Sequence, residues 1–254
     1  MPDIKMPFTA HLAELRKRLI ISFVAVGIGF AVAYAFSAEI FDWLVQPLIN
    51  VLPPGDKLVF TALPEAFFIY LKASLIAGIV LASPVIFYEL WMFVAPGLHQ
   101  KEKRFVLPFV IISTLLFAGG ALFGYYVIFP VGFRFLVGFS TENIRALPSL
   151  QLYLSFCLKM LLGFGLVFEF PVLAYFLGRA GIINSRMMAK NRRIAILLIF
   201  IVAAVITPPD VVSQILLAVP LYILFEGSIL IVRVTGKRKK EENGDVESEN
   251  EGSS

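Results

Sequence analysis

Glu169 is a carboxylate in one of the most apolar stretches of the chain, FGLVFEFPVLAYF from Phe164 to Phe176. A charged side chain at bilayer depth costs about 3 kcal/mol on insertion scales, so such residues usually face a cavity, a pore or a partner. Pro171 follows two residues later and leaves the Val167 carbonyl without its helical donor, which predicts a kink at the same place. The position is suited to proton transfer or to recognition of a polar group.

A second carboxylate, Glu14, lies in the basic segment HLAELRKRL just before the first apolar run. The helical spacing of its leucines predicts an amphipathic helix over residues 8–18 that lies at the cytoplasmic interface, with basic residues toward lipid headgroups. A carboxylate gains nothing beside an anionic leaflet. Glu14 would gain from a cationic partner.

A third carboxylate, Glu102, is surrounded by basic residues in the segment FVAPGLHQKEKRF, residues 93–105. Ala95, Pro96 and Gly97 predict a compact exit from the preceding span. Taken alone, the segment fits a solvated run of charges, and Phe93 fits a buried aromatic residue at the interface.

The segment TPPDVVSQ, residues 207–214, predicts a turn between two helices. Thr207 can end the first helix, and Asp210 can cap the second by accepting hydrogen bonds from backbone N–H groups near its start. We therefore expect Asp210 to act first as a helix cap.

The composition indicates that these residues belong to an integral membrane protein. Of the 254 residues, 59% are hydrophobic and only 16% are charged, which is too little polar surface for a soluble globular domain. The single cysteine, Cys157, excludes a disulfide framework within the chain and a cysteine-based structural metal site. The polar amino terminus indicates a retained first span and not a cleaved signal peptide.

Six apolar segments are long enough to be candidate membrane spans, and they predict an all-α integral membrane protein. They run approximately over residues 20–36, 67–94, 105–129, 152–177, 194–206 and 215–232. On one side, the connecting loops carry only Lys57, Arg134 and Arg145. Lys72 and Lys159 lie within spans, and the rest of the 22 lysines and arginines fall on the other side. By the positive-inside rule, both termini are cytoplasmic.

The last two spans are compromised as membrane anchors. The fifth is too short for a hydrocarbon core of about 30 Å, and the sixth contains Pro220, Glu226 and Gly227. We expect the bilayer to thin there, or partners to cover the gap. The loops on the side away from the cytoplasm are rich in proline, and Pro47 lies in the first of them. Their composition predicts rigid, ordered loops. Residues 1–236 form the membrane domain, and the basic-then-acidic residues 237–254 are expected to be a disordered cytoplasmic tail.

These motifs, taken in order, resemble the TatC family, the polytopic component of the twin-arginine protein translocase. The resemblance rests on HLAELRKRL, FVAPGLHQKEKR, FPVGFRFL, SFCLKMLLGFGLVFEFPV and ITPPDVVSQILLAVPLYILFE, and it covers the chain up to about residue 236. It implies a cup-shaped scaffold of six helices. It also implies a receptor and assembly core that exports folded proteins across the cytoplasmic membrane and draws on the proton-motive force.

The resemblance assigns a role to each candidate residue. Glu14 and Glu102 become acceptors for the twin-arginine motif of signal peptides, with Arg16 and Phe93 in the same surface. Two adjacent guanidinium groups call for two carboxylates at a fixed separation, and lysine should substitute poorly. Glu169 becomes a polar docking point within the membrane. The remaining positions of interest, expected to be mainly structural, are Pro47, Tyr125 and Asp210.

The implied partners are single-span subunits of the TatA and TatB kind, signal peptides, membrane lipid and further copies of the chain, without nucleic acid, metal or cofactor. A proton-coupled secondary transporter is the alternative, with Glu169 as carrier and Lys159 as relay. The lack of internal repeats and the scarcity of other polar residues at mid-depth weigh against it. No GxxxxGK[ST], HExxH or GxSxG arrangement occurs, so we expect no enzyme activity.

Overall fold

The computed structural model is all-helical over the residues that it describes. These are residues 8–53, 58–59, 62, 64–94, 106–139, 147–207 and 210–251, with side chains described from residue 11 to residue 235. The helices are α1 (Phe8–Ala35), α2 (Ser37–Ile49), α3 (Glu65–Val94), α4 (Val106–Phe123), α5 (Phe129–Val137), α6 (Leu150–Phe168), α7 (Phe170–Arg179), α8 (Ser185–Lys190), α9 (Arg192–Ile206) and α10 (Val211–Glu251). A turn of π-helix, Gly124–Ile128, joins α4 to α5.

Five stretches of helix are long and apolar enough to cross a membrane: His11–Ala35, Glu65–Val94, Val106–Val137, Leu150–Arg179 and Val211–Thr235. The remaining predicted span, the fifth along the chain, is α9, whose 15 residues extend about 22 Å at 1.5 Å per residue. That length falls short of a hydrocarbon core of about 30 Å, as the sequence predicts. The fold is therefore the predicted six-span, all-α membrane fold with a short fifth span.

The chain divides into two compact units, residues 1–162 and residues 163–254. In the first unit, α1 packs on α3 through small residues. A Cβ atom added to Gly29 would lie 2.5 Å from the Gly78 carbonyl oxygen, so the two backbones approach as closely as glycine permits. Large side chains on α1, such as Phe23, remain exposed, because a lipid-facing surface need not be buried.

The predicted amphipathic segment 8–18 is helical, but it is not a separate helix lying before the first span. It forms the first turns of α1, which continues without interruption to Ala35. Neither proline nor glycine occurs between residue 8 and Gly27, so nothing in the local sequence breaks the helix there. The predicted helix over residues 8–18 is therefore present, and its place at the cytoplasmic interface stays a prediction.

Pro47 lies inside α2 and is buried, not in the loop that the sequence predicts. A proline at this position deprives the Trp43 carbonyl of its helical N–H donor. The hydroxyl of Tyr125 donates to that carbonyl at 2.5 Å, and the Tyr125 ring stacks on Trp43 with a centroid distance of 3.7 Å. The helix continues through Pro47 because a neighbouring tyrosine supplies the missing donor.

A set of hydrogen bonds joins the beginning of α3 to the beginning of α6. Val59 and Ser149 form a backbone bridge, in which the Leu150 N–H donates to the Val59 carbonyl at 2.9 Å. The buried carboxylate of Glu65 accepts from the Gln151 N–H at 2.9 Å. Because backbone donors satisfy this carboxylate, it anchors the loops at this end of the first unit.

In the second unit, α7, α8 and α10 share a core of Ala174, Met188, Phe225, Ile229 and Val232. The backbone of α10 continues to Glu251, past the predicted domain boundary at residue 236. The side chains of this extension lie outside the described residues. The boundary and the disordered tail stay predictions.

Candidate functional site

Two carboxylates, one from α1 and one from α3, meet around the guanidinium group of a single arginine in the first unit. Arg18 donates through Nε, at 3.0 Å, and through Nη2 to the same oxygen of Glu14, Oε1. Its Nη1 donates to Oε2 of Glu89 at 3.0 Å, across 71 residues of sequence. We call these residues, together with His11 and Phe93, the α1–α3 cluster.

Helical spacing explains how the α1–α3 cluster assembles. Residues 11, 14 and 18 lie on one face of α1, and residues 89 and 93 lie on one face of α3, near its last turn. The side chains of Arg18, Glu14 and Glu89 are only 18%, 22% and 10% exposed. Partial burial of this kind strengthens charge-assisted hydrogen bonds beyond those of an exposed surface pair.

An aromatic stack forms one wall of the α1–α3 cluster. The rings of His11 and Phe93 are 4.4 Å apart and nearly parallel, with an interplanar angle of 11°. Nδ1 of His11 lies 4.0 Å from Oε2 of Glu14. Phe93 is half-buried, and it holds the His11 ring against the helix face that carries Glu14.

The charges of the α1–α3 cluster do not balance. Glu14 and Glu89 face a single guanidinium, which leaves one formal negative charge uncompensated between the three groups. Arg18 uses one oxygen of each carboxylate, and no hydrogen bond from another described residue reaches the second oxygens, Oε2 of Glu14 and Oε1 of Glu89. An ionised carboxylate can accept about four hydrogen bonds, so acceptor capacity remains for another cation.

Two predicted members of the binding surface are not part of the α1–α3 cluster. Arg16 is exposed, and it lies two residues from Glu14, which puts it on a different face of α1. Glu102 lies outside the described residues. Its role as a second acceptor stays a prediction.

Sequence reasoning missed Glu89 and Arg18. Glu89 lies in the apolar run SPVIFYELWMFV, where a carboxylate is as unexpected as it is at position 169. That signal was available in the sequence. The pairing with Arg18 was not, because it depends on how α1 packs against α3.

Glu169 lies at the break between α6 and α7, where the proline predicted a kink. Its own N–H donates to the Leu166 carbonyl at 3.2 Å, three residues back, and its carbonyl accepts from the Leu173 N–H at 3.0 Å. Pro171 occupies the first turn of α7, the helix position that tolerates proline. The half-buried Glu169 is therefore both the last residue before α7 and a carboxylate within this membrane span.

Asp210 makes the contact that a helix cap requires. Its Oδ1 accepts from the Ser213 N–H at 2.7 Å, in the first turn of α10, and Thr207 ends α9. The other oxygen, Oδ2, is buried and has no partner among the described residues. The local role of Asp210 is structural, as its spacing indicates.

A second charged group joins α9 to α10 within the second unit. Arg192 pairs with Glu226 through a fork: Nε lies 2.7 Å from Oε1, and Nη2 donates to Oε2 at 2.8 Å. Tyr222 also donates to Oε1, at 2.9 Å. We call these three residues the α9–α10 ion pair. It explains how a carboxylate is accommodated in the sixth span.

Fold and site together define a six-span, all-α membrane protein whose ionisable side chains gather where helices meet. The family model described as "Sec-independent protein translocase protein (TatC)" matches residues 10–220 of the chain. The chain belongs to the TatC family, and the predicted resemblance is confirmed.

Relatives and solved structures agree along almost the whole chain. The TatC protein of Desulforapulum autotrophicum is 54% identical, over 96% of this chain and 93% of that protein. The TatC protein of Aquifex aeolicus is 40% identical, over 93% and 98%. A crystal structure titled as the twin arginine translocase receptor TatC has a TM-score of 0.81 and 40% identity, covering 89% of this chain and 99% of that chain. These findings support the translocase interpretation and not the transporter alternative.

Proposed function

We propose that this chain is the signal-peptide receptor and assembly core of a twin-arginine translocase that exports folded proteins. The observation that carries the proposal is Glu14. In a member of the TatC family, this carboxylate lies beside a second carboxylate and an aromatic stack where α1 meets α3. The group that such a surface favours is a planar cation.

The chemistry of the α1–α3 cluster suits arginine better than lysine. A guanidinium presents a rigid fork of donors that matches carboxylate oxygens in pairs, and its flat faces stack on aromatic rings. An ammonium group is a compact, strongly hydrated point charge and gains little from either feature. We infer that Glu14 and Glu102 accept the two arginines of a signal peptide, with Phe93 beside Glu14. Arg16, which lies on a different face of α1, stays a predicted member of the binding surface.

The wider assignment follows from the family. We propose a bacterial cytoplasmic membrane location, with both termini in the cytoplasm and single-span TatA-like and TatB-like subunits as partners. Several copies of the chain work together in the active complex. Transport draws on the proton-motive force, and the chain itself makes and breaks no covalent bonds.

Site-specific photocrosslinking tests the receptor assignment. We expect a twin-arginine precursor to crosslink to the wild-type chain and a twin-lysine precursor to crosslink far less. Glu14→Ala and Glu102→Ala should each reduce the twin-arginine signal. Undiminished crosslinking in both variants would contradict the proposal.

Glu169 is proposed as a docking point within the membrane for a polar group on a signal peptide or a partner helix. A comparison of Glu169→Gln with Glu169→Ala separates docking from proton transfer. If recognition matters, the glutamine variant retains transport because it keeps a hydrogen-bonding side chain, and the alanine variant loses it. Loss of transport in both variants would favour the proton-carrier alternative.

A further inference from the structure

We propose that Arg18 determines the specificity of the receptor for arginine, because it occupies part of the cation-binding surface with the chain's own guanidinium. This inference rests on the proposed function. It adds two residues, Arg18 and Glu89, that the sequence motifs do not assign to recognition.

The geometry shows what an arriving cation meets. Arg18 makes three hydrogen bonds, two to Glu14 and one to Glu89, and only 18% of its side chain is exposed. These bonds fix the orientation of both carboxylates. They leave one oxygen of each carboxylate as an acceptor for a second cation, beside the ring of Phe93 that stacks on His11.

Competition makes this arrangement selective. A cargo guanidinium can share the two carboxylates with Arg18, since it brings its own fork of donors to the remaining oxygens. A cargo ammonium has three donors but no planar fork, so it cannot pair with the remaining oxygens of both carboxylates as a guanidinium does, and it competes poorly with the bonds that Arg18 already makes. Arg18 therefore penalises lysine more than arginine. Glu89 contributes by holding Arg18 in place from the opposite helix.

A purely structural role for Arg18 predicts a different result. If Arg18 only fastened α1 to α3, its loss would weaken the binding of every cationic peptide in the same proportion. Under the proposed role, a residue that binds the two carboxylates less tightly than Arg18 lets a twin-lysine peptide bind better. The ratio of twin-arginine to twin-lysine affinity then falls. The ratio is therefore the informative quantity.

The experiment compares peptide affinities for the full chain in lipid nanodiscs. Fluorescence anisotropy measures the binding of a twin-arginine signal peptide and of its twin-lysine counterpart to wild type, Arg18→Lys and Arg18→Gln. Lys17→Gln is the matched control, since it removes a neighbouring exposed cation that belongs to neither carboxylate.

In wild type we expect arginine to be strongly preferred. In Arg18→Lys the preference should fall about tenfold, roughly the worth of one charge-assisted hydrogen bond, chiefly because the twin-lysine peptide binds more tightly. Arg18→Gln should lower the preference in the same direction, and Lys17→Gln should leave it within about twofold.

The outcomes separate the two proposals. If wild type shows no preference for the twin-arginine peptide, the proposed receptor function fails. If wild type discriminates but both Arg18 variants keep the same ratio, whether or not overall binding weakens, the receptor function stands and the role of Arg18 is overturned. Size-exclusion profiles and thermal unfolding verify that each variant is folded.

Discussion

The α1–α3 cluster and the α9–α10 ion pair are built from the same residue types and differ in their balance of charge. In the α9–α10 ion pair, one arginine forks onto one carboxylate and a tyrosine adds a further donor, so both oxygens of Glu226 are engaged. In the α1–α3 cluster, one arginine is divided between Glu14 and Glu89. One group is complete, and the other retains acceptor capacity.

If the unbalanced cluster were a simple surface site, its side chains would be the more exposed of the two groups. The opposite holds. The complete pair is the more exposed, with side-chain exposures of 48% for Arg192 and 31% for Glu226. The unbalanced cluster is the more buried, at 10% for Glu89. A partly buried negative charge with no second cation among the described residues is costly to the fold, which favours a role for this position in binding.

The largest effect is expected at Glu14. Glu14→Gln should weaken twin-arginine peptide binding about 100-fold, because it removes the charge from a partly buried acceptor of charge-assisted hydrogen bonds. Anisotropy titration in nanodiscs measures the change. A loss smaller than about threefold would contradict the comparison, since Glu14 would then be no more important than an ordinary surface carboxylate.

A smaller effect is expected at Glu89. Glu89→Gln replaces a charged acceptor for Arg18 with a neutral one, so it should reduce the preference for arginine over lysine by about fivefold. The measurement is the affinity ratio of the two peptides. An unchanged ratio would show that Glu14 alone orients Arg18.

A hydrogen bond between neutral groups, from Tyr125 to the Trp43 carbonyl, provides a reference for the charged hydrogen bonds of the first unit. Tyr125→Phe removes the donor to the Trp43 carbonyl and should lower the free energy of unfolding by about 1 kcal/mol. In a Pro47→Ala background the cost should be smaller, because residue 47 can then donate its own N–H to that carbonyl. Equal costs in the two backgrounds of this double-mutant cycle would rule out the compensation described here.

The smallest effect is expected at the α9–α10 ion pair. Glu226→Gln should change twin-arginine peptide affinity by less than about twofold, because exposed ion pairs contribute little and this one has no spare acceptor. Its thermal unfolding midpoint should fall slightly. A large loss of peptide affinity would abolish the distinction between complete and unbalanced groups.

Local features of the sequence were predicted well because their causes are local. The interruption at Glu169 follows from Pro171, which cannot donate a hydrogen bond, and the contact from Asp210 to the Ser213 N–H follows from a spacing of three residues. The short fifth span is a matter of length, since α9 begins after polar residues and ends at Ile206, with Thr207 as its C-cap. None of these depends on a distant helix.

The failures share the opposite property. The sequence predicts a loop at Pro47 because this residue lies between the first two apolar segments. The Tyr125 hydroxyl that supplies a donor within α2 is 82 residues from its acceptor, the Trp43 carbonyl. The sequence predicts the helical segment 8–18, but not the residue that Arg18 contacts. In the structure this segment stays in α1, where Arg18 finds a partner on α3.

The sequence by itself determined the membrane class, the six spans, the interruption at Glu169 and the family, because hydrophobic length, proline chemistry and ordered motifs are all written along the chain. Only the tertiary structure decided that Glu14 and Glu89 share one arginine. The two helices that carry these residues pack closely, with their backbones in contact at Gly29 and Gly78. The physical reason is that a hydrogen bond requires atoms within about 3 Å, and residues 71 positions apart reach that distance only through packing.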